Sequence, residues 1–240
     1  MNQTSFQTIN PMKSLLSVET NAKTVKGQKR GFMTGILYLA PGKLSGLINV
    51  CPHASAACDA LCLYYAGRGA FNSVQKARTA KTIFYVKDRE SFLATLKDNV
   101  TSVIRKAKAK RMQPVIRLNG TSDIGWERYT VIQAFKKTRF YDYTKSFQRM
   151  TAFLDGKLPS NYSLTFSRSE TNETQCLDVL KRGGNVAVVF RGKVLPTHWQ
   201  GFPVINGDEN DLRFLDPKGV VVGLTAKGKA KTDTSGFVVG

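Results

Sequence analysis

Three cysteines in one short segment are the residues of this sequence best suited to inorganic chemistry. Cys51, Cys58 and Cys62 follow one another with the spacing C-x6-C-x3-C. Thiolates this close along a chain can reach one metal centre, and clustered cysteines in a reducing compartment are more often metal ligands than crosslinks. The segment therefore predicts a metal site with three sulfur ligands.

The identity of the metal is open between three interpretations. An iron-sulfur cluster accepts cysteines from a loop, and three ligands on a 4Fe-4S cluster leave one iron open, so this is the expected cofactor. Structural zinc prefers C-x2-C pairs, which are absent, and would need a fourth ligand from His53, His198 or Cys176. Buried thiols without a metal are the third interpretation. Cys176, beside Leu177 in a predicted helix, is expected to be an ordinary core thiol.

Polar side chains follow several predicted strands, at the ends where parallel α/β proteins meet their ligands. Asn119 and Asp123 follow one strand, Asp142 ends the next, and Arg168 and Glu170 follow a third. We predict that these five residues line a catalytic pocket shared with the cysteine loop. Other polar residues at the same ends are Arg117, Ser122, Thr144, Lys145, Ser167, Ser169 and Arg191. The alternative for some is helix N-capping, namely for Ser122, Asp123, Ser169 and Thr171.

Hydrophobic patterning predicts the elements that position these residues. Strands are expected at 32–39, 115–118, 140–143, 162–166, 186–190, 204–205 and 220–224. Helices are expected over 72–112 with a break at Lys87-Asp88, around 126–137, past Phe147, and over 174–181 before Gly183-Gly184. This alternation predicts βαβ units and a parallel sheet, either open or curved into a full or partial barrel. Residues 203–240 lack an obvious helix and are expected to close or cap the sheet.

Length and composition indicate one domain. The chain has 240 residues, 42% of them hydrophobic, which is enough for one sizeable core. Residues 1–30 are polar and basic and predict an N-terminal arm, with a single α/β domain over 31–240. No apolar run reaches the roughly 18 to 20 residues of a membrane helix, and the first ten residues are too polar for a secretory signal. A soluble intracellular protein without a membrane partner is expected.

The charge of the chain is strongly positive. Thirty-six Lys and Arg against 17 Asp and Glu give a net charge of +19. Such a field attracts polyanions, and we expect nucleic acid bound through phosphate contacts; a merely solubilising surface is the alternative. Basic runs occur at 23–30, 105–111 and 227–231, and aromatic residues do not interleave with them, so base stacking is not indicated.

One acidic segment stands out against this background. Residues 207–217 hold four acids, Asp208, Glu209, Asp211 and Asp216. The segment could bind a divalent cation through oxygen ligands, but it lacks the glycine-centred spacing of an EF-hand. Pairing of these acids with the surplus arginines is the favoured interpretation.

The chain resembles a phage-encoded family named after mycobacteriophage gene product eighty-eight. The resemblance lies in the cysteine loop through Gly67-Arg68 and in several later motifs. These are RLNGTSDI at 117–124, FYDYTK at 140–145, LTFSRSE at 164–170, DLRFLDP at 211–217, and the stretch from Ala226 to Phe237. It implies a phage origin and action in the cytoplasm of the infected host, and it implies no particular reaction.

A looser resemblance is to radical-SAM enzymes, whose partial barrels carry three cysteines in the loop after the first strand. It implies a radical-SAM-like partial (β/α) barrel with a cluster at its mouth. The spacing departs from the usual C-x3-C-x2-C, and no Gly-Gly-Glu segment follows a second strand, so binding of S-adenosylmethionine is not carried over.

Two hypotheses about function follow. The first is a cluster-bearing phage protein that acts on or binds nucleic acid or a nucleotide. The second is a non-enzymatic nucleic-acid-binding or host-takeover protein in which zinc or a cluster only braces a loop. The residues do not decide whether the protein is an enzyme.

Overall fold

Strands and helices alternate along most of the chain. The computed structural model describes residues 12–19 and 22–240. Its strands are β1 Leu16–Ser17, β2 Phe32–Leu37, β3 Gln113–Arg117, β4 Arg139–Thr144, β5 Tyr162–Ser167, β6 Val186–Phe190, β7 His198–Trp199, β8 Phe202–Asn206, β9 Val221–Thr225 and β10 Val238–Val239. Its helices are α1 Ala22–Gln28, α2 Ala56–Ala60, α3 Asn72–Lys87, α4 Arg89–Ala109, α5 Val131–Ala134, α6 Phe147–Leu154 and α7 Glu173–Lys181.

The strands form one mainly parallel sheet in the order β1-β2-β3-β4-β5-β6-β9-β8-β7. From β2 to β6 each strand lies beside its predecessor, with registers such as Thr34 opposite Val115 and Tyr141 opposite Ser163. Among the described strands, only the short β1 and β7 pair antiparallel, with β2 and β8 respectively. The predicted mixed α/β domain with a largely parallel sheet is confirmed.

The two faces of the sheet differ in chemistry. On one face, Ile116, Phe140 and Phe166 are fully buried and join Phe92 and Leu96 of α4 in the main core. Alternate positions face the other way, and there residues 207–217 cover the sheet, with Leu212 packed on Val115 and Tyr141. Burial on both faces explains why these strands are so apolar in sequence.

Most predicted helices are present, and one is wrong. Asp88 ends α3 and caps α4 by accepting the Ser91 N–H at 3.1 Å, which confirms the break. The helix expected over 126–137 is only a 3-10 turn, Trp126–Arg128, followed by α5. The Trp126 indole donates to Asn119 at 3.0 Å, and the hydroxyls of Tyr129 and Tyr85 lie 2.9 Å apart. These tertiary bonds override the local helical pattern.

Part of the predicted N-terminal arm packs into the domain. Leu15 and Leu16 lie in the main core, and the Leu15 N–H donates to the Asn99 side chain at 2.8 Å. Residues 1–11 and 20–21 lie outside the described residues, so the boundary at residue 31 stays a prediction. Within the described part of the chain, no helix combines the length and apolarity needed to cross a bilayer.

Residues 203–240 extend the sheet as expected, and they do so in two ways. Strands β8 and β9 continue it beyond β6, while β10 pairs with the last residues of β6, Val189 and Phe190. The C-terminal end of the chain therefore lies at the carboxyl edge of the parallel strands, which is the edge that carries the cysteine loop.

Candidate functional site

The cysteine loop follows β2 and contains one short helix. The Ser55 hydroxyl caps α2 by accepting the Cys58 N–H at 3.2 Å. Cys51 precedes the helix, Cys58 lies within it, and Cys62 follows its last turn. The Cys62 N–H donates to the Asp59 carbonyl at 3.4 Å, which keeps Cys62 beside the end of the helix that carries Cys58.

The three thiols are free and partly buried. The pKa of Cys51 is raised to about 12, mainly by burial and in smaller part by the charges of Cys62 and Cys58. Burial also raises the pKa of Cys62, again with a contribution from Cys58. The thiols are therefore electrostatic neighbours. Across residues 12–19 and 22–240, however, no three His, Cys, Asp or Glu side chains already stand as a metal-ligand set.

Neighbouring strand ends hold this loop. The Asp123 N–H donates to the Val50 carbonyl at 2.8 Å, and the Cys51 thiol lies 3.7 Å from the Thr121 carbonyl. From the end of β5, Glu170 accepts the Ser55 hydroxyl at 2.7 Å and the Ala57 N–H at 3.1 Å. The structure thus brings the cysteine loop together with the polar ends of β3 and β5, as the sequence predicts.

Asp123 belongs to an ionic network beneath this edge. Its carboxylate accepts the Lys145 N–H at 2.8 Å, the Thr144 hydroxyl at 2.8 Å and the Arg149 guanidinium at 2.6 Å. Arg149 also pairs with Glu127 at 2.8 Å. Asp123 caps no helix; it joins the loop after β3 to the end of β4. Its predicted catalytic role remains a prediction.

Asn119 and Asp142 lie below the surface. The Asn119 side-chain oxygen accepts from Ile124, from Trp126 and from the Ser122 hydroxyl, which folds its loop into a tight turn. Asp142 is fully buried and accepts the Asn119 N–H at 2.6 Å and the Tyr162 hydroxyl at 2.8 Å. Both residues shape the β3 loop from within, and direct contact with a substrate in the pocket remains a prediction.

The buried carboxyl of Asp142 should make folding stability pH-dependent. Burial raises its pKa from 3.8 to about 7. Between those values the folded state holds a proton that the unfolded state has lost, so stability falls as pH rises. We expect wild type to lose on the order of 2–4 kcal/mol from this group between pH 4 and 8. The Asp142→Asn variant should lack this loss; urea unfolding of both proteins at each pH measures it, and parallel curves would contradict it.

The remaining predicted residues hold the C-terminal segment. Arg168 donates to the carbonyls of Gly236 and Phe237 at 2.8 and 3.0 Å and pairs with Glu173 at 3.3 Å. Arg191 donates to the Asp233 carbonyl at 2.6 Å. Both arginines therefore clamp the segment that carries β10. Nothing in their local sequence indicates these partners, because the C-terminal segment arrives from far along the chain.

Helix α7 begins after Asn172 and contains the isolated Cys176. Asn172, not Ser169 or Thr171, precedes α7, and its side chain accepts the Ser169 N–H at 2.7 Å. Cys176 is fully buried in the main core, as predicted for an ordinary core thiol. His198 is exposed and contacts Thr197.

The acidic segment pairs with basic residues, as the favoured interpretation has it. Arg117 and Asp211 form a buried pair at 2.7 Å, and the hydroxyls of Tyr141 and Tyr143 approach the same carboxylate at 3.3 and 3.4 Å. Arg213 pairs with Asp216 at 3.4 Å, Glu209 with Arg30, and Asp208 with Lys227. The segment is therefore fixed by ion pairs and packing to the face of the sheet opposite the main core.

Exposed apolar side chains flank the cysteine loop on both sides along the chain. The group consists of Leu44, Leu47, Leu63, Tyr65 and Phe71. The Lys229 ammonium lies 5.4 Å from the ring centre of Tyr65, and that of Lys145 lies 5.4 Å from the ring of Phe237. Two lysines at this edge therefore each lie beside an aromatic ring from a distant part of the sequence.

Comparison with known families agrees with the motifs. A family described as Gene product 88 matches residues 14–239. The chain belongs to the gene product 88 family. The match spans the cysteine loop, every strand end described above and the C-terminal segment, and it identifies a bacteriophage protein. No curated protein and no solved structure matches this member of the gene product 88 family.

Proposed function

We propose that the protein binds a 4Fe-4S cluster through Cys51, Cys58 and Cys62, and that nucleic acid or a nucleotide is its target at the same edge. The observation that carries the proposal is the neighbourhood of three free, partly exposed thiols on a loop fastened to two strand ends. Three thiolates are a suitable donor set for a cluster with one iron open to a ligand. The cytoplasm of the infected host is the proposed location.

The three thiols suit an iron-sulfur cluster by their chemistry, since thiolates are its usual ligands. The thiols are neighbours without forming a finished ligand set, so binding would turn side chains inward and complete the site as the cluster assembles. A fourth protein ligand is not part of the proposal. When bound, the cluster would supply electron transfer or Lewis-acid chemistry, and Glu170, through Ser55 and Ala57, would orient the loop that carries it.

A partial barrel resembling the radical-SAM core is part of the same proposal. Sequential strand order from β2 to β6, with all neighbours parallel, is the order that such a barrel requires. The inner face, with Arg117, Tyr141 and Tyr143, is covered by the acidic segment, which supports an interior partly closed by residues 207–217. S-adenosylmethionine is left out, because the segment that holds it in those enzymes has no counterpart in the sequence.

Anaerobic purification tests the cluster. We expect a brown protein with broad absorption around 400 nm and about four irons and four sulfides per chain. Electron paramagnetic resonance after reduction should show the cluster directly. A colourless protein that contains zinc would overturn the proposal and favour the structural-metal alternative.

The nucleic-acid target is supported by charge and by its distribution. The net charge is +19, and Lys229 and Lys145 lie beside aromatic rings at the cysteine edge. We expect a labelled oligonucleotide to bind with an affinity that falls steeply as the salt concentration rises. Lys229→Ala should make the negative slope of log K against log salt less steep by about 1. Fluorescence anisotropy at several salt concentrations measures both.

Lys108 provides a matched control for this experiment. It is exposed in the last turn of α4, which leads to the start of β3 and therefore lies at the opposite edge of the sheet. Lys108→Ala removes the same charge and should leave the slope unchanged. Equal effects of the two substitutions would indicate diffuse attraction by net charge and no defined contact at the cysteine edge.

A non-enzymatic binding module is the second candidate. It is favoured by the burial of Asp142 and Asn119, which leaves both side chains occupied with shaping a loop. Under this alternative, oligonucleotide binding survives removal of the metal and the Asp142→Ala substitution. Under the cluster proposal, removal of the iron weakens oligonucleotide binding at the edge of the sheet that carries the cysteine loop.

A further inference from the structure

Arg78 of α3 is held between two aromatic rings beside the cysteine loop. Its guanidinium carbon lies 4.8 Å from the ring centre of Tyr38 and 5.4 Å from that of Tyr64. Its charge acts on Cys62, whose thiol pKa it lowers against the larger raising effect of burial. Stacking of this kind fixes the plane of a guanidinium and leaves its edge N–H groups to define a direction.

Two of the three guanidinium nitrogens have no hydrogen-bond acceptor among the described residues. The Nε and Nη1 atoms of Arg78 are buried, and neither has a hydrogen-bond partner within the described part of the chain. Other arginines with an unbonded buried nitrogen each have a carboxylate within 4 Å: Arg117 has Asp211, Arg168 has Glu173, and Arg213 has Asp216. For Arg78, residues 12–19 and 22–240 provide no such carboxylate. A buried charged donor without an acceptor is costly, and it indicates a ligand that supplies the acceptor.

A second positive group strengthens the same demand. Lys81 lies one turn further along α3 and donates to the Leu15 carbonyl at 2.7 Å. Its pKa is lowered to about 8, mainly by burial and in smaller part by the charge of Arg78. The two positive charges are therefore close enough to interact, and a bound anion would reduce their mutual repulsion.

We propose that Arg78 binds an oxyanion, the phosphate or carboxylate of a small ligand, beside Cys62. The planar fork of a guanidinium matches both groups, and Tyr38 and Tyr64 set its orientation. The site goes beyond the proposed cluster, because the guanidinium can bind an oxyanion whether or not iron is present. A ligand bound beside the cysteine loop would then carry a phosphate or carboxylate group, and Arg78 would hold that group in place.

Arg89 is a natural control for this site. It also lies between two tyrosines, 4.2 Å from the ring centre of Tyr85 and 5.9 Å from that of Tyr129. Its donors are satisfied, since Nε donates to the Tyr85 carbonyl at 3.3 Å and Nη1 to the Tyr129 hydroxyl at 3.1 Å. The two arginines differ mainly in whether their N–H groups have acceptors.

Equilibrium dialysis of the full chain with radiolabelled inorganic phosphate, and separately with acetate, tests the proposal at constant ionic strength. We expect one saturable site for at least one of the two anions, which identifies the class of oxyanion. Arg78→Lys should weaken it about tenfold through lost charged hydrogen bonds, and Arg89→Lys less than about twofold. No saturable site, or equal losses in both variants, would overturn the proposal.

A second measurement covers the case in which Arg78→Lys does not fold. Wild-type protein is treated with phenylglyoxal, and modified arginines are mapped by mass spectrometry with and without the anion. Protection of Arg78 by the anion, with no change at Arg89, supports the site. Modification of Arg78 at the same rate with and without the anion contradicts it. Because the binding does not require iron, a failure of the cluster proposal leaves this result interpretable.

Discussion

Replacement of Asp211 by alanine is expected to lower the free energy of unfolding by about 3–5 kcal/mol, because it leaves the Arg117 guanidinium buried without its carboxylate. The two groups meet at 2.7 Å, and their side chains are 7% and 10% exposed. Burial alone would lower the pKa of Arg117, and the charge of Asp211 raises it above its usual value. The hydroxyls of Tyr141 and Tyr143 lose the same acceptor. Urea unfolding at neutral pH measures the change.

Glu209 supplies the matched control, since it lies in the same acidic segment. It pairs with Arg30, and the two side chains are 61% and 45% exposed. Glu209→Ala removes one carboxylate from the segment but should change stability by less than about 1 kcal/mol. If Asp211→Ala lowered the free energy of unfolding no more than Glu209→Ala does, the acidic segment would not hold the sheet. The proposal of a barrel interior partly closed by this segment would then lose its support.

The strands of the sheet could be predicted from the sequence because they are buried on both faces and therefore appear as continuous apolar runs. Val186–Phe190 is a run of five apolar residues with turn residues on either side, and the strand occupies those positions. Gly183 adopts φ +80° after α7, the left-handed conformation that the glycine pair predicts. Such signals are local, so they need no knowledge of the fold.

The partners of the polar residues were not accessible in the same way. Arg168, Arg191 and Asp142 all stand at or near strand ends, where a pocket is expected, but each is occupied by a contact that only the folded chain creates. Residues 233–240 fill part of the edge and take up the two arginines. A sequence pattern locates the edge of a parallel sheet, whereas it does not tell which polar side chains there remain available to a ligand.

The same limit explains why Arg78 escapes a sequence-based search. It lies in the middle of α3, and nothing in the sequence pattern separates it from the exposed Lys76 or Lys87. Its distinction comes from Tyr38 at the end of β2 and Tyr64 after the cysteine helix, which close on it from two sides. Whether an arginine N–H has an acceptor depends on the folded structure, so the sequence alone does not reveal it.

Loss of any one of Cys51, Cys58 and Cys62 is expected to lower iron content at least about tenfold in anaerobically purified protein, because three protein ligands leave no spare donor for the cluster. Alanine at each position removes the sulfur with little change of bulk. Cys176→Ala is the matched control, since that thiol is fully buried in the main core and its sulfur lies 3.5 Å from the Asn172 side chain. It should keep its iron and lose only packing energy. Iron and sulfide assays with circular dichroism separate ligand loss from unfolding. Full iron content in all three loop variants would show that these thiols are not the ligands, which would overturn the proposed cluster site.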